Sequence, residues 1–144
     1  AELAIEHGID VIYVSNHGGR QLDHGLGTLA VLPEITAAVK GRAPIWIDGG
    51  FYRGSDIVKA RLMGAEVVGL GRMQCWALAA GGEAGVVRML ELLEAEVKQC
   101  MSLLGISDWS QGHAGLLQSA PQVTDPSVFS AFPLLNVGSS DWYA

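Results

Sequence analysis

The sequence predicts an α/β chain built on parallel strands, and two observations carry that prediction. Three short runs rich in β-branched residues, Val11-Ile12-Tyr13-Val14-Ser15, Pro44-Ile45-Trp46-Ile47-Asp48 and Val67-Val68-Gly69-Leu70-Gly71, alternate with segments of helical periodicity. Each run also stops at small or polar residues. Continuous apolar runs of this length read as strands buried in a parallel sheet. Repeated βα units imply right-handed crossovers, in either a doubly wound sheet or a closed (β/α)8 barrel.

The order along the chain is a helix end followed by three βα units. The first strand leads to a helix predicted over about Thr28 to Lys40, and the second to one over Gly54 to Met63. After the third strand a longer helical pattern runs from about Glu83 to Leu104. Three strands cannot close a barrel of about 250 residues. If the architecture is a barrel, these are its last three units; the other reading is a small, independent three-stranded domain. Beyond Gly105 the pattern gives way to Ser, Gln, Pro and Asp with isolated aromatics. We therefore divide the chain into residues 1–108 and an irregular C-terminal tail, residues 109–144.

Composition removes several function classes. With 49% hydrophobic and 17% charged residues over 144, the chain has the make-up of a globular domain rather than a disordered one. No apolar run reaches the roughly 20 residues of a transmembrane helix. The first residues, Ala1-Glu2-Leu3-Ala4, have neither an initiator Met nor a signal pattern, so we expect the chain to begin inside a longer protein. A net charge of −6, with nine scattered basic residues, argues against nucleic acid, which requires clustered Lys and Arg. Cys75 and Cys100 form no CxxC pair, so neither a zinc site nor a disulfide framework is predicted. A reducing cytoplasm is the expected compartment, with a membrane-peripheral setting open for a full-length protein.

The polar strand ends hold the chemistry. In Ser15-Asn16-His17-Gly18-Gly19-Arg20-Gln21, His17 offers an imidazole that can take a proton from a ligand, and Arg20 offers a planar fork to a carboxylate. The Gly pair between them allows a tight turn that brings both to one ligand; a plain loop histidine is the competing reading. In Asp48-Gly49-Gly50-Phe51-Tyr52-Arg53-Gly54-Ser55-Asp56, glycines ahead of a helix can offer N–H groups to an anion. Ser55 or Asp56 can equally be an ordinary helix cap. Gly71-Arg72 closes the third strand, and such loops after the last two strands of a barrel commonly hold phosphate. His7, His24, His113 and the two cysteines carry no pattern beyond loop, tail or core positions.

These three motifs, in this order and spacing from about residue 1 to 108, resemble the FMN-dependent 2-hydroxy-acid oxidase/dehydrogenase family, and Gly49 to Ala60 is most similar to its mandelate dehydrogenase branch. The resemblance implies the C-terminal part of a (β/α)8 TIM barrel, about strands six to eight with their helices. It also implies oxidation of an (S)-2-hydroxy acid to the 2-oxo acid, with FMN as cofactor. By the same resemblance His17 is the catalytic base and, with Arg20, binds substrate. Ser15, Asp48, Gly49, Gly50, Phe51, Tyr52, Arg53, Gly71 and Arg72 fall on positions around FMN. The electron acceptor stays open among oxygen, a quinone and a cytochrome, and a homo-oligomer is expected at full length.

The chain departs from the pattern at Tyr52, which stands where the family has the first of two basic residues. Replacing a charged hydrogen bond to phosphate costs about 1–3 kcal/mol, and a tyrosine hydroxyl restores one donor. Trp76 stands where a tyrosine is common. The family's flavin-contacting lysine, its substrate-side tyrosines and the aspartate partnering the base belong to segments ahead of Ala1, so the chain alone is expected to be inactive. Two alternatives remain: a truncated, non-catalytic half-barrel or interaction module, and another FMN- or phosphate-binding barrel.

Overall fold

The computed structural model describes residues 1–22 and 24–120. The elements are α1 (Glu2–Glu6), β1 (Ile12–Val14), α2 (Thr28–Val39), β2 (Ile45–Ile47), α3 (Gly54–Leu62), β3 (Val67–Val68) and α4 (Arg72–Leu103). Short 3-10 turns follow β1 at His17–Gly19 and follow α4 at Trp109–Gln111 and Ala114–Leu116. The strands form one parallel sheet in the order β1-β2-β3, with Ile12 opposite Ile45 and Val14 opposite Ile47. Each predicted strand and helix is present; the three strands, α2 and α3 are shortened at their ends as fraying and assignment differences produce, whereas α4 begins earlier than its pattern predicts.

Alternation sorts the sheet into two faces. Ile12, Val14, Ile45 and Ile47 are buried with Leu32 and Val39 of α2, Ala60 of α3, and Phe51 and Ala65. The opposite face carries Tyr13, Trp46 and Val67, which are adjacent in register and exposed. Tyr13 meets Trp46 edge-on with ring centroids 6.2 Å apart. A parallel sheet is ordinarily covered on both faces; among the described residues the helices cover one.

One stretch of helix was absent from the sequence reading. The helical pattern was expected to begin near Glu83, yet α4 starts at Arg72 and is broken within by Gly81 and Gly82, where Gly82 takes φ 59° and ψ −144°. A glycine pair interrupts the apolar period and bends the chain, so the first half hides behind the break. After α4, Ile106 is buried with Val58 and Leu62 of α3, and Trp109, Leu116 and Leu117 pack around them. The Arg61 guanidinium lies 5.0 Å from the centre of the Trp109 ring, a cation–π contact. Residues 109–120 of the proposed tail thus cover α3; residues 121–144, with the aromatics Phe129, Phe132 and Trp142, lie outside the described residues.

Helix α3 rests on α4 through a position that admits no side chain. A Cβ at Gly54 would stand 2.6 Å from the backbone nitrogen of Val97 and closer still to the Glu96 side chain. At the same point the Gly54 N–H donates to Glu96 Oε2 at 2.6 Å, and Glu96 pairs with the Arg53 guanidinium at 2.9 Å. Two further N–H groups, those of Tyr52 and Arg53, donate to Asp56 Oδ2 at 3.3 and 3.1 Å. Asp56 is thus the cap that the sequence left open, and Glu96 extends the capping from a second helix.

Among the described residues, no helix is long and apolar enough to cross a membrane, and no group of three His, Cys, Asp or Glu side chains is placed to hold a metal ion.

Gly54→Ala forces the helices apart and is expected to cost about 1–3 kcal/mol, the usual range for overpacking, read as a lowered urea midpoint; an unchanged midpoint would contradict the close approach. For Glu96, burial alone would raise the carboxyl pKa, but the Gly54 N–H and the Arg53 guanidinium outweigh it and hold it below the usual range. A carboxylate whose pKa is lower in the folded state stabilises fully above its unfolded value, about 4.3, and loses that contribution as pH falls through the folded value. Glu96→Gln is therefore expected to be less stable than the parent at pH 7, with the gap closing at acid pH. A gap constant down to pH 3 would show that the charge is not what matters.

Candidate functional site

The C-terminal ends of all three strands open into one cleft of roughly 250 Å³. His17, Gly18 and Arg20 line it after β1; Asp48, Gly49, Gly50, Phe51 and Tyr52 after β2; and Gly71, Arg72, Met73 and Cys75 after β3. Of the residues singled out in the sequence, Ser15 and Arg53 stand outside this lining. The Arg53 guanidinium is held by Glu96.

The loop after β1 is shaped by short polar side chains. Ser15 Oγ accepts from the His17 N–H at 3.1 Å, and Asn16 Oδ1 accepts from the Gly18 N–H at 2.9 Å. The Gly19 N–H closes a turn on the Asn16 carbonyl at 3.0 Å. His17, Gly18 and Gly19 take φ values of 52°, 66° and 72°, three successive left-handed residues. Glycine enters that region without strain, and histidine is among the side chains that tolerate it. The result places an exposed imidazole and the Arg20 guanidinium on the same wall.

The second wall hangs on Thr28. This residue is 3% exposed, although polar, and its hydroxyl donates to the Asp48 carbonyl, with a longer contact of 3.5 Å to that of Gly49. Gly49 and Gly50, at φ 97° and 86°, turn the chain directly after β2. Only glycine takes such values freely. A Cβ at Gly49 would meet Thr28 Oγ1 at 3.0 Å, whereas one at Gly50 would find open space. Asp48 Oδ2 accepts from the Tyr13 hydroxyl at 3.2 Å, and Asp48 Oδ1 is buried with no partner among the described residues. Burial, then the charge of Asp48 and the hydrogen bond to it, raise the Tyr13 pKa.

The third wall is the start of α4. Gly71 precedes the helix and Arg72 is its first residue, so the N–H groups of its first turn and one guanidinium adjoin the cleft. Helix N-termini favour anions through unpaired N–H groups and the macrodipole. The sequence suggested the start of α3 for this role, but Asp56 and Glu96 already take N–H groups at that end. Among the described residues, Arg20 and Arg72 are the arginines lining the cleft and Asp48 is the one carboxylate.

Sequence reasoning passed over Asn16 and Thr28. Thr28 is detectable in principle as a hydroxyl residue opening a helix behind Gly27, but that reads first as an ordinary cap. Its actual partners are carbonyls from a different βα unit.

Comparison with known proteins completes the description. The sequence profile described as FMN-dependent dehydrogenase matches residues 1–119. An L-lactate oxidase from Nostoc sp. is 50% identical over 107 residues, 74% of this chain and 29% of the relative. A 2-hydroxyacid oxidase from Dictyostelium discoideum is 49% identical over 110 residues, 76% of this chain and 28% of the relative. Among solved structures, a variant of mandelate oxidase with 4-Br-2-hydroxy-methylphenylacetate superposes with a TM-score of 0.75 at 44% identity, covering 78% of this chain and 34% of that one. The chain spans about a third of the length of these proteins, and its α/β architecture corresponds to part of their barrel. By sequence and by structure, the chain belongs to the FMN-dependent dehydrogenase family, whose cofactor is FMN and whose members resembling it here are oxidases of 2-hydroxy acids.

Proposed function

We propose that the cleft is the base, carboxylate and cofactor-phosphate side of a flavin site that oxidises an (S)-2-hydroxy acid to the 2-oxo acid. On this reading β1, β2 and β3 stand as strands six to eight of a (β/α)8 barrel, residues 1–108 belong to that barrel, and residues 109–144 are a tail upon it. The observation that carries the reading is the convergence of His17, Arg20, Asp48 and Arg72 from three strand ends onto one cleft. The exposed sheet face of Tyr13, Trp46 and Val67 supports the barrel placement, since a barrel encloses that face.

The residues present fit FMN. Asp48 Oδ1, buried and without a hydrogen-bond partner among the described residues, is an acceptor suited to a ribityl hydroxyl. Gly50 and Gly71 leave open space where a Cβ would project, so backbone can approach a ligand closely. Arg72 and the first turn of α4 would hold the phosphate, with Asp48, Gly49, Gly50, Phe51 and Tyr52 along the ribityl chain. Ser15 would act beside the flavin through the loop it shapes, and Arg53 at the rim through its pair with Glu96. FMN, when bound, supplies the two-electron acceptor for the oxidation of the substrate carbon.

This chain's own contribution is position and proton transfer. Arg20 would pair bidentately with the substrate carboxylate and so fix the α carbon relative to the imidazole. His17 would take one of the two protons lost as the alcohol becomes a ketone. The Asn16 and Ser15 hydrogen bonds hold the loop so that the imidazole meets the substrate without reorganising. The acceptor that reoxidises the cofactor, whether oxygen, a quinone or a cytochrome, and assembly into a homo-oligomer belong to the whole protein.

A second reading, a non-catalytic half-barrel or interaction module, is favoured by the same exposed sheet face. Visible absorption separates the two. With FMN added to the whole protein, the oxidase reading expects flavin uptake and anaerobic bleaching by an (S)-2-hydroxy acid, with the bleaching rate about 10²- to 10⁴-fold lower in His17→Ala, the usual contribution of a general base; the 144-residue chain alone is expected not to bleach. Flavin uptake without bleaching by the whole protein would leave the binding role and reject the catalytic one, and absence of uptake would favour the interaction module.

A further inference from the structure

Tyr52 and Trp76 stack with ring centroids 5.5 Å apart and planes inclined by 13°. The two residues come from different elements. Tyr52 sits on the loop between β2 and α3, and Trp76 on the first turns of α4, one turn beyond Arg72. Residues one turn apart share a helix face, so Trp76 stands alongside the guanidinium that lines the cleft. Tyr52 lines the cleft and Trp76 does not, which leaves the tryptophan to act there through the tyrosine.

The cation next to Tyr52 is otherwise engaged. Arg53 donates to Glu96 from both Nε, at 3.2 Å, and its terminal nitrogen, at 2.9 Å. Arg20 belongs to the wall that follows β1. The phosphate side of the cleft therefore presents one guanidinium, Arg72, and one phenol, Tyr52. The Tyr52 backbone is fixed by its N–H bond to Asp56, but its side chain keeps two rotatable bonds unless something packs on the ring. Trp76 supplies that packing. Because Trp76 is 40% exposed, its truncation removes the stack without opening the core.

We propose that Tyr52 is a neutral hydrogen-bond donor to the cofactor phosphate and that Trp76 is the positioning residue that holds it there by stacking. The proposal rests on the flavin reading above and deepens it. The phenol would do part of the work of a second cation, and the stack would offset the freedom that a single hydroxyl contact leaves to the ring. Tyr52 and Trp76 then form one functional unit, in which the value of the tryptophan depends on the hydroxyl of the tyrosine.

A double-mutant cycle in the whole protein tests this dependence. Dissociation constants for FMN and for riboflavin, which lacks the phosphate, would be read by flavin fluorescence for the parent, Tyr52→Phe, Trp76→Leu and the double variant, with circular dichroism melts alongside. Tyr52→Phe is expected to weaken FMN about tenfold or more, as for loss of a charged hydrogen bond, and to leave riboflavin unchanged. Trp76→Leu is expected to weaken FMN about two- to tenfold, the range of an aromatic pair, again with riboflavin unchanged. In the Tyr52→Phe background Trp76→Leu should have no further effect on the FMN-to-riboflavin ratio, and Trp76→Phe, which keeps a ring, should retain the parent ratio. Equal weakening of both flavins by Trp76→Leu, or a ratio loss that persists without the hydroxyl, overturns the proposal while leaving the flavin site standing. Failure of the parent protein to bind FMN overturns the flavin reading and this inference with it.

Discussion

The cleft depends on the contact of α3 with α4 at Gly54. Two of its three walls belong to segments joined there: the loop that runs from Asp48 into α3, and the start of α4. Gly54 lets the helices meet at backbone distance, and Glu96 converts that proximity into a lock by taking the Gly54 N–H and the Arg53 guanidinium at once. The ion pair is partly exposed and by itself worth little. Its effect comes from the buried side of the same carboxylate, which satisfies an N–H that would otherwise face another helix. Overpacking at one end and an unsatisfied donor at the other make the geometry steep in both directions.

That lock also divides labour between two helix N-termini that look alike in the sequence. Both helices have a glycine at their start, Gly54 as the first residue of α3 and Gly71 just ahead of α4, and both are candidate anion sites on dipole grounds. At α3 the N–H groups of Tyr52, Arg53 and Gly54 are consumed by Asp56 and Glu96, carboxylates of the protein itself. A second anion placed there would meet two negative charges. At α4, Gly71, Arg72 and Met73 line the cleft instead. With the α3 terminus taken by internal caps, the α4 terminus is the one whose first residues face the cleft.

The strands, the helices and the three clusters at strand ends were legible because each rests on local signals: β-branched runs, apolar periodicity, and glycine pairs followed by polar residues. The FMN family was legible for the same reason, since its motifs are contiguous. What the sequence concealed is relational. Glu96 looks like one acid in the run from Glu91, and that run reads as a solvated face; only the approach of α3 shows that this carboxylate is turned inwards. Thr28 reads as the start of a helix, yet it is the post on which the Asp48–Gly49 turn hangs. Arg53 and Tyr52 are neighbours in sequence but point to different tasks, one to Glu96 and one to the cleft, a division that spacing cannot reveal.

The first half of α4 was hidden by Gly81 and Gly82, which end the apolar period, but its placement follows from the sheet. A short β3 must be followed by a helix that packs back against α3, and the bend at the glycine pair lets one segment both begin at the cleft and run alongside its neighbour. Gly85 serves the same bend, since a side chain there would collide with the Ala77 carbonyl. Arg72 and Trp76 therefore ride on a helical segment whose direction is set by α3 on one side and by this bend on the other. The cleft inherits its shape from helix packing well outside it. Side chains on that wall hold their places through backbone contacts, and the loop of His17, fixed by Ser15 and Asn16, meets a wall whose position is already determined.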